Sequence, residues 1–147
     1  MILDTDWNGR KAYSKPGGTS LSILRDIPPL SKYHMYSRFI AWSPDNKWLY
    51  CQTIFTIPDK RGGARSEHVP SAIPDDEAVC AIVYGRYCWN FKSGEDIFVT
   101  DILEKEGYFV TDGMSKLNRG NWELVKLLHE LWEKENIIQT FRKLAKL

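Results

Sequence analysis

Cysteine is scarce in this chain. Three of its 147 residues are cysteine, at positions 51, 80 and 88, and no two form a CxxC pair. An odd number at such spacing argues against a disulfide framework or a zinc cluster and for reduced thiols. Histidine is equally rare, with His34, His68 and His129 too scattered for metal-ligand spacing, so no metal site is expected. Charge of one sign is lacking too. The formal net charge is +1, which leaves no electrostatic footprint for nucleic acid or a membrane surface. No long apolar run exists and no basic–apolar–small leader opens the sequence, so neither a membrane span nor a signal peptide is expected, and the reading is a soluble, cytoplasmic protein. The one basic run near glycines, "KRGGAR" at 60–65, has no strand–loop–helix context and reads as a solvated loop. No cofactor motif, internal repeat or low-complexity tract is present.

What the chain does have is aromatic bulk and alternation. Residues 1–18 are polar and turn-rich. "TSLSILRDI" at 19–27 alternates apolar and polar residues with period two, as a strand does, and Pro28 and Pro29 stop it. "YHMYSRFIAW" (33–42) and "KWLYCQTIFTI" (47–57) read as two further strands joined by the turn residues "SPDN". Trp42 and Trp48 then flank a hairpin turn and are expected to staple it. Residues 58–77 form a long surface loop, 78–91 a central apolar strand, and "DIFVT" a short strand. "DILEKEGY" makes one helical turn ended by Gly107. From Asn121, which can act as a cap, the period changes to that of a helix. Val125, Leu128, Leu131, Ile138 and Phe141 lie on one stripe that Leu124, Leu127 and Trp132 widen. The expected architecture is one α+β domain over 1–147, an antiparallel β-sheet covered by a long C-terminal helix at 121–147.

Several residues carry a likeness. Tyr33, Arg38, Ala41 and Trp42, then a turn and Lys47-Trp48-Leu49-Tyr50, followed by "VCAIVYGRYCWNFKSG" and "ILEKEGY", resemble the thioesterase-like hotdog superfamily over about residues 18–108. The resemblance implies a sheet wrapped on one long helix, a homodimer, and an acyl-thioester tunnel between helix and sheet. It implies action on an acyl thioester or polyketide-type hydrophobic substrate in secondary metabolism, by hydrolysis or by cyclisation or isomerisation. A catalytic acid of the family matches "LDTDWNGRKAY" only faintly, at Asp4 or Asp6. Too few residues separate that segment from the proline turn to hold the family's central helix, so the fold is shortened and the tail helix is expected to replace it.

The candidate residues follow. Asp6 is expected as a general base or water-orienting acid on the resemblance; taken alone, it and Asp4 read as a cap or turn. By period two, His34 shares a strand face with Tyr36, Arg38, Ile40 and Trp42. An imidazole and a guanidinium among aromatics can bind or polarise an acyl carbonyl, or can decorate a solvated face. On another strand Tyr84 and Arg86 share a face, and an arginine there needs a carboxylate or a ligand. Tyr36, Arg38, Tyr50, Tyr84 and Arg86 are the expected substrate-binding residues. The cysteines read as small buried hydrophobes; His68 and His129 read as exposed. The alternative function is a non-catalytic hotdog-like binding protein with a hydrophobic ligand pocket, and a third is a small α+β cyclase with a cone-shaped cavity.

Overall fold

The computed structural model describes the backbone of residues 6–7, 9–59 and 73–145, and their side chains except at 6 and 136–141. Asp4, His68 and the "KRGGAR" run therefore lie outside the described residues, as do the side chains of Asp6, Ile138 and Phe141. The architecture is α+β, an antiparallel sheet followed by a long helix. The strands are β1 (Asp6–Trp7), β2 (Arg10–Ile23), β3 (His34–Trp42), β4 (Leu49–Pro58), β5 (Glu77–Phe91) and β6 (Asp96–Ile97), and the helices are α1 (Val99–Lys105) and α2 (Asp112–Leu144). The sheet order is β1-β2-β5-β4-β3, with β6 paired to β5. Residues group into two compact units, one of 1–18, 40–50 and 86–147, the other of 19–39 and 51–85.

In the first unit the structure departs from the sequence expectation at two places. The polar segment before Thr19 is strand: β2 begins at Arg10 and runs through "SKPGG". Pro16 cannot donate to a ladder, and among the described residues β1 pairs only with Arg10 and Lys11. Gly17 and Gly18 are there because large rings press on the strand. A Cβ at Gly17 would stand 2.1 Å from the Trp48 ring, and one at Gly18 would stand 2.6 Å from Trp132. The second departure is the helix start. α2 begins at Asp112, nine residues before Asn121. Thr111 is its cap, its hydroxyl accepting from the Met114 N–H at 3.2 Å. Two glycines and two asparagines in this first stretch have poor helix propensity. Tertiary bonds offset that. β3 is the sheet's edge, and its outward backbone groups need partners. Asn118 accepts from the Trp42 N–H at 2.8 Å and donates to the Trp42 carbonyl at 3.2 Å, while Asn121 donates to the Ile40 carbonyl at 2.9 Å.

The hairpin turn between β3 and β4 forms as expected from "SPDN". Ser43 N–H donates to the Trp48 carbonyl at 2.9 Å, and the buried Ser43 hydroxyl bonds Asp45 and accepts from the Trp48 N–H. Asn46 adopts φ 59°, which asparagine tolerates. Its side chain has a second task. α1 starts without a side-chain cap of its own, and the Asn46 Oδ1 accepts from the Thr100 N–H at 3.1 Å. α1 ends before Gly107, which takes φ 90°. α2 turns the buried Val125 and Trp132 inward, whereas Leu124, Leu127 and Leu131 of the expected stripe are exposed.

The second unit holds residues 19–23 of β2, 34–39 of β3, 51–58 of β4 and 77–85 of β5. Ile57, Ala78 and Cys80 form a small core there, with Ile27 packed against it. Leu24 and Arg25 N–H groups both donate to the Cys80 carbonyl, at 2.8 and 3.1 Å, two donors on one acceptor as at a β-bulge.

Candidate functional site

The polar residues form two clusters, one in each unit. In the second unit, alternation along β3 places His34, Tyr36 and Arg38 on one face, as the period predicts. Glu77, at the start of β5, is the hub. Its carboxylate accepts from the Tyr36 hydroxyl at 2.8 Å and from the Thr56 hydroxyl at 2.7 Å, and it lies 2.6 Å from His34 Nδ1. The Glu77 side chain is only 8% exposed and that of His34 is 58% exposed. A buried carboxylate therefore anchors an imidazole that reaches solvent. Burial is the largest effect on Glu77 and raises its pKa, but hydrogen bonds from Thr56, Tyr36 and His34 together outweigh it and hold the carboxyl below its ordinary value of 4.5. The same bond, with burial second, raises the Tyr36 hydroxyl, so it remains a donor. Beside this group Arg38 Nε donates to Gln52 Oε1 at 2.8 Å, and Gln52 Nε2 donates to the Tyr84 hydroxyl at 2.9 Å. Tyr84 accepts there, leaving its own proton for a further acceptor.

Arg86 and Tyr50 belong to the first unit. Arg86 is wholly buried and stacked on aromatic faces, 4.1 Å from the Trp48 ring centroid and 5.4 Å from that of Trp132. Its Nε donates to the Gly17 carbonyl at 3.1 Å and its Nη1 to Glu133 at 2.7 Å. Thus the carboxylate that an arginine in an apolar strand requires is supplied by α2. Nη2 is buried with no hydrogen-bond partner among the described residues. The Tyr50 hydroxyl lies 2.5 Å from His129 Nδ1, and its ring stacks on Trp132 at 6.0 Å. Burial, opposed by the Arg86 guanidinium, pushes Tyr50 up to about 12.

Two readings need correction. His129, expected to be exposed, is half-buried against Tyr50 and Trp122 because it sits on the sheet-facing side of α2. Glu77, placed at the end of the surface loop expected over 58–77, instead opens β5. It stands just after "PDD", where a charge reads as loop, and only the strand register reveals its partners. Asp6 places its backbone opposite Lys11. The cysteines are free thiols, and burial raises the pKa of all three, Cys51 to about 11, which keeps them from forming nucleophilic thiolates. Among the described residues no group of His, Cys, Asp and Glu is arranged to hold a metal ion, and no helix is long and apolar enough to cross a membrane.

A stretch of 49 residues, 33% of this chain, is 45% identical to thioesterase poxG of Penicillium oxalicum. The match spans 14% of that relative's length. No protein-family model matches the chain, and no solved structure does.

Proposed function

We propose that the chain acts on acyl thioesters, with the His34–Glu77 pair as its acid–base centre. The observation that carries this is the 2.6 Å contact between a solvent-reaching imidazole and a buried, fully hydrogen-bonded carboxylate. The similarity to a thioesterase supports the substrate class. Glu77 accepts the Nδ1 proton and so leaves the Nε2 lone pair to act as base. In hydrolysis, Nε2 takes a proton from water as the water oxygen bonds the acyl carbon. The carbonyl oxygen becomes an oxyanion, which Arg38, through the donors that Gln52 leaves unused, and the Tyr84 hydroxyl stabilise. Collapse breaks the C–S bond, and the proton passes from His34 to the departing thiolate. Cyclisation or isomerisation of a polyketide-type substrate would use the same base on a C–H proton. Asp6, the acid implied by resemblance, belongs to the first unit and is given no part in these steps. A hotdog-like arrangement of the whole sheet and helix belongs to the same proposal.

The test is thiol release from acyl-CoA esters of increasing chain length. His34→Ala should lower kcat by about 100-fold or more, the usual contribution of a general base. Release by the wild type no faster than in buffer across the series, or a His34→Ala variant as active as the wild type, removes the reading.

A second reading, a non-catalytic protein with a hydrophobic ligand pocket, rests on Arg86, whose Nη2, buried beside tryptophan rings, has no partner among the described residues. Native mass spectrometry would then find a co-purified carboxylate or acyl ligand that Arg86→Met loses, with no turnover in either protein.

A further inference from the structure

Helix α2 has a second apolar face. Val125, Trp132 and the asparagines meet the chain's own strands, but Leu117, Leu124, Leu127 and Leu131 are 64, 64, 77 and 51% exposed. Their spacing of seven, three and four residues is that of the a and d positions of a coiled-coil seam, with Gly113 and Gly120 in the two d places before Leu127, and Lys134 in the one after it. Those glycines are open notches: a Cβ at Gly120 would meet nothing within 4 Å, and one at Gly113 would meet only the Thr111 hydroxyl, at 3.7 Å. A run of exposed leucines beside notches of matching spacing is an interaction surface.

We propose that this seam pairs two copies of the chain, α2 against α2, antiparallel about a two-fold axis level with Trp122. The sequence is complementary to itself in that register. Leu117 meets the partner's Leu127, and Leu124 fills the space over the partner's Gly120. Leu131 fills that over the partner's Gly113. On the flanks Lys116 faces the partner's Glu130, twice by symmetry, and Met114 faces the partner's Leu128. One pair opposes: Glu123 meets its own copy at the axis. The parallel register fits worse, because it sets Gly120 on Gly120 and leaves a void, and it brings Glu130 beside Glu135. This inference stands on α2 alone and does not depend on the thioester reading.

Sedimentation equilibrium of the full chain tests it. The wild type should associate at micromolar concentration, and Leu127→Glu should be monomeric, with the melting curve that the wild type shows when diluted until it is monomeric, since residue 127 is exposed. Lys116→Glu and Glu130→Lys should each weaken the dimer about tenfold, two exposed ion pairs being turned into repulsions, and the double swap should restore it to within about twofold of the wild type. Glu123→Gln should tighten it. A wild type still monomeric at about 100 μM overturns the proposal. So does a dimer indifferent to Leu127→Glu, or a double swap no tighter than the single ones.

Discussion

A guanidinium without exposed surface must replace its water shell with fixed partners, and Arg86 shows how this chain does it. Two ring faces, one carbonyl and one carboxylate take the place of water. The partners are unequal, since the Glu133 side chain is 47% exposed and that of Arg86 is wholly enclosed. Removing Glu133 therefore strands a buried charge. Glu133→Ala should destabilise the protein by about 3 kcal/mol, at the low end for a broken buried pair because solvent reaches the site of the lost carboxylate. Urea unfolding measures it, and a loss under about 0.5 kcal/mol would mean that the rings and the Gly17 carbonyl suffice. Tyr50 gives a prediction in pH. Its folded-state value is raised from 10.0 to about 12, so the stability it contributes is complete below pH 10 and is lost as pH rises through 12. Alkaline unfolding followed by circular dichroism should start later in pH for Tyr50→Phe. Glu77 has the opposite sign. Its folded value is lowered, so its contribution is present above the ordinary carboxylate value of 4.5 and fades as pH falls through the folded one. Glu77→Gln should flatten the acid limb of the stability curve, and an unaltered limb would show that its three hydrogen bonds carry no net stability.

Strand β2 and helix α2 mark where local sequence stops being informative. The hairpin was legible at 38–55 because its signals are local: alternation on both sides of Pro44-Asp45-Asn46. "SKPGG" reads as a turn by every local rule, yet it is strand because Trp48 and Trp132, remote in sequence, fill the space that side chains at Gly17 and Gly18 would need. Gly18→Ala should cost about 1–3 kcal/mol as an overpacked contact. A thermal melt measures it, and an unshifted midpoint would show that the Trp132 ring can move aside. The start of α2 was missed for a related reason. Asn118 and Asn121 are weak helix formers locally, but they satisfy the backbone of an edge strand. Asn118→Ala leaves two groups of Trp42 unpaired and should cost about 1–3 kcal/mol.

For the whole molecule, α+β class, strand count in the middle of the chain and the long final helix were written in periodicity. The candidate site was half written there. Period two gave the face of His34, Tyr36 and Arg38. Neither the carboxylate beneath His34 nor the histidine against Tyr50 was visible, since these contacts span 43 and 79 residues and follow from register and helix rotation.

The central claim is that His34, held by Glu77, serves as a base toward a thioester. Chemical rescue tests it most directly. Thiol release from an acyl-CoA ester should be lost in His34→Gly and return, in proportion to added imidazole, while Glu77→Gln remains insensitive to imidazole. A His34→Gly protein that keeps wild-type turnover, or one that folds normally and gains nothing from imidazole, contradicts the account.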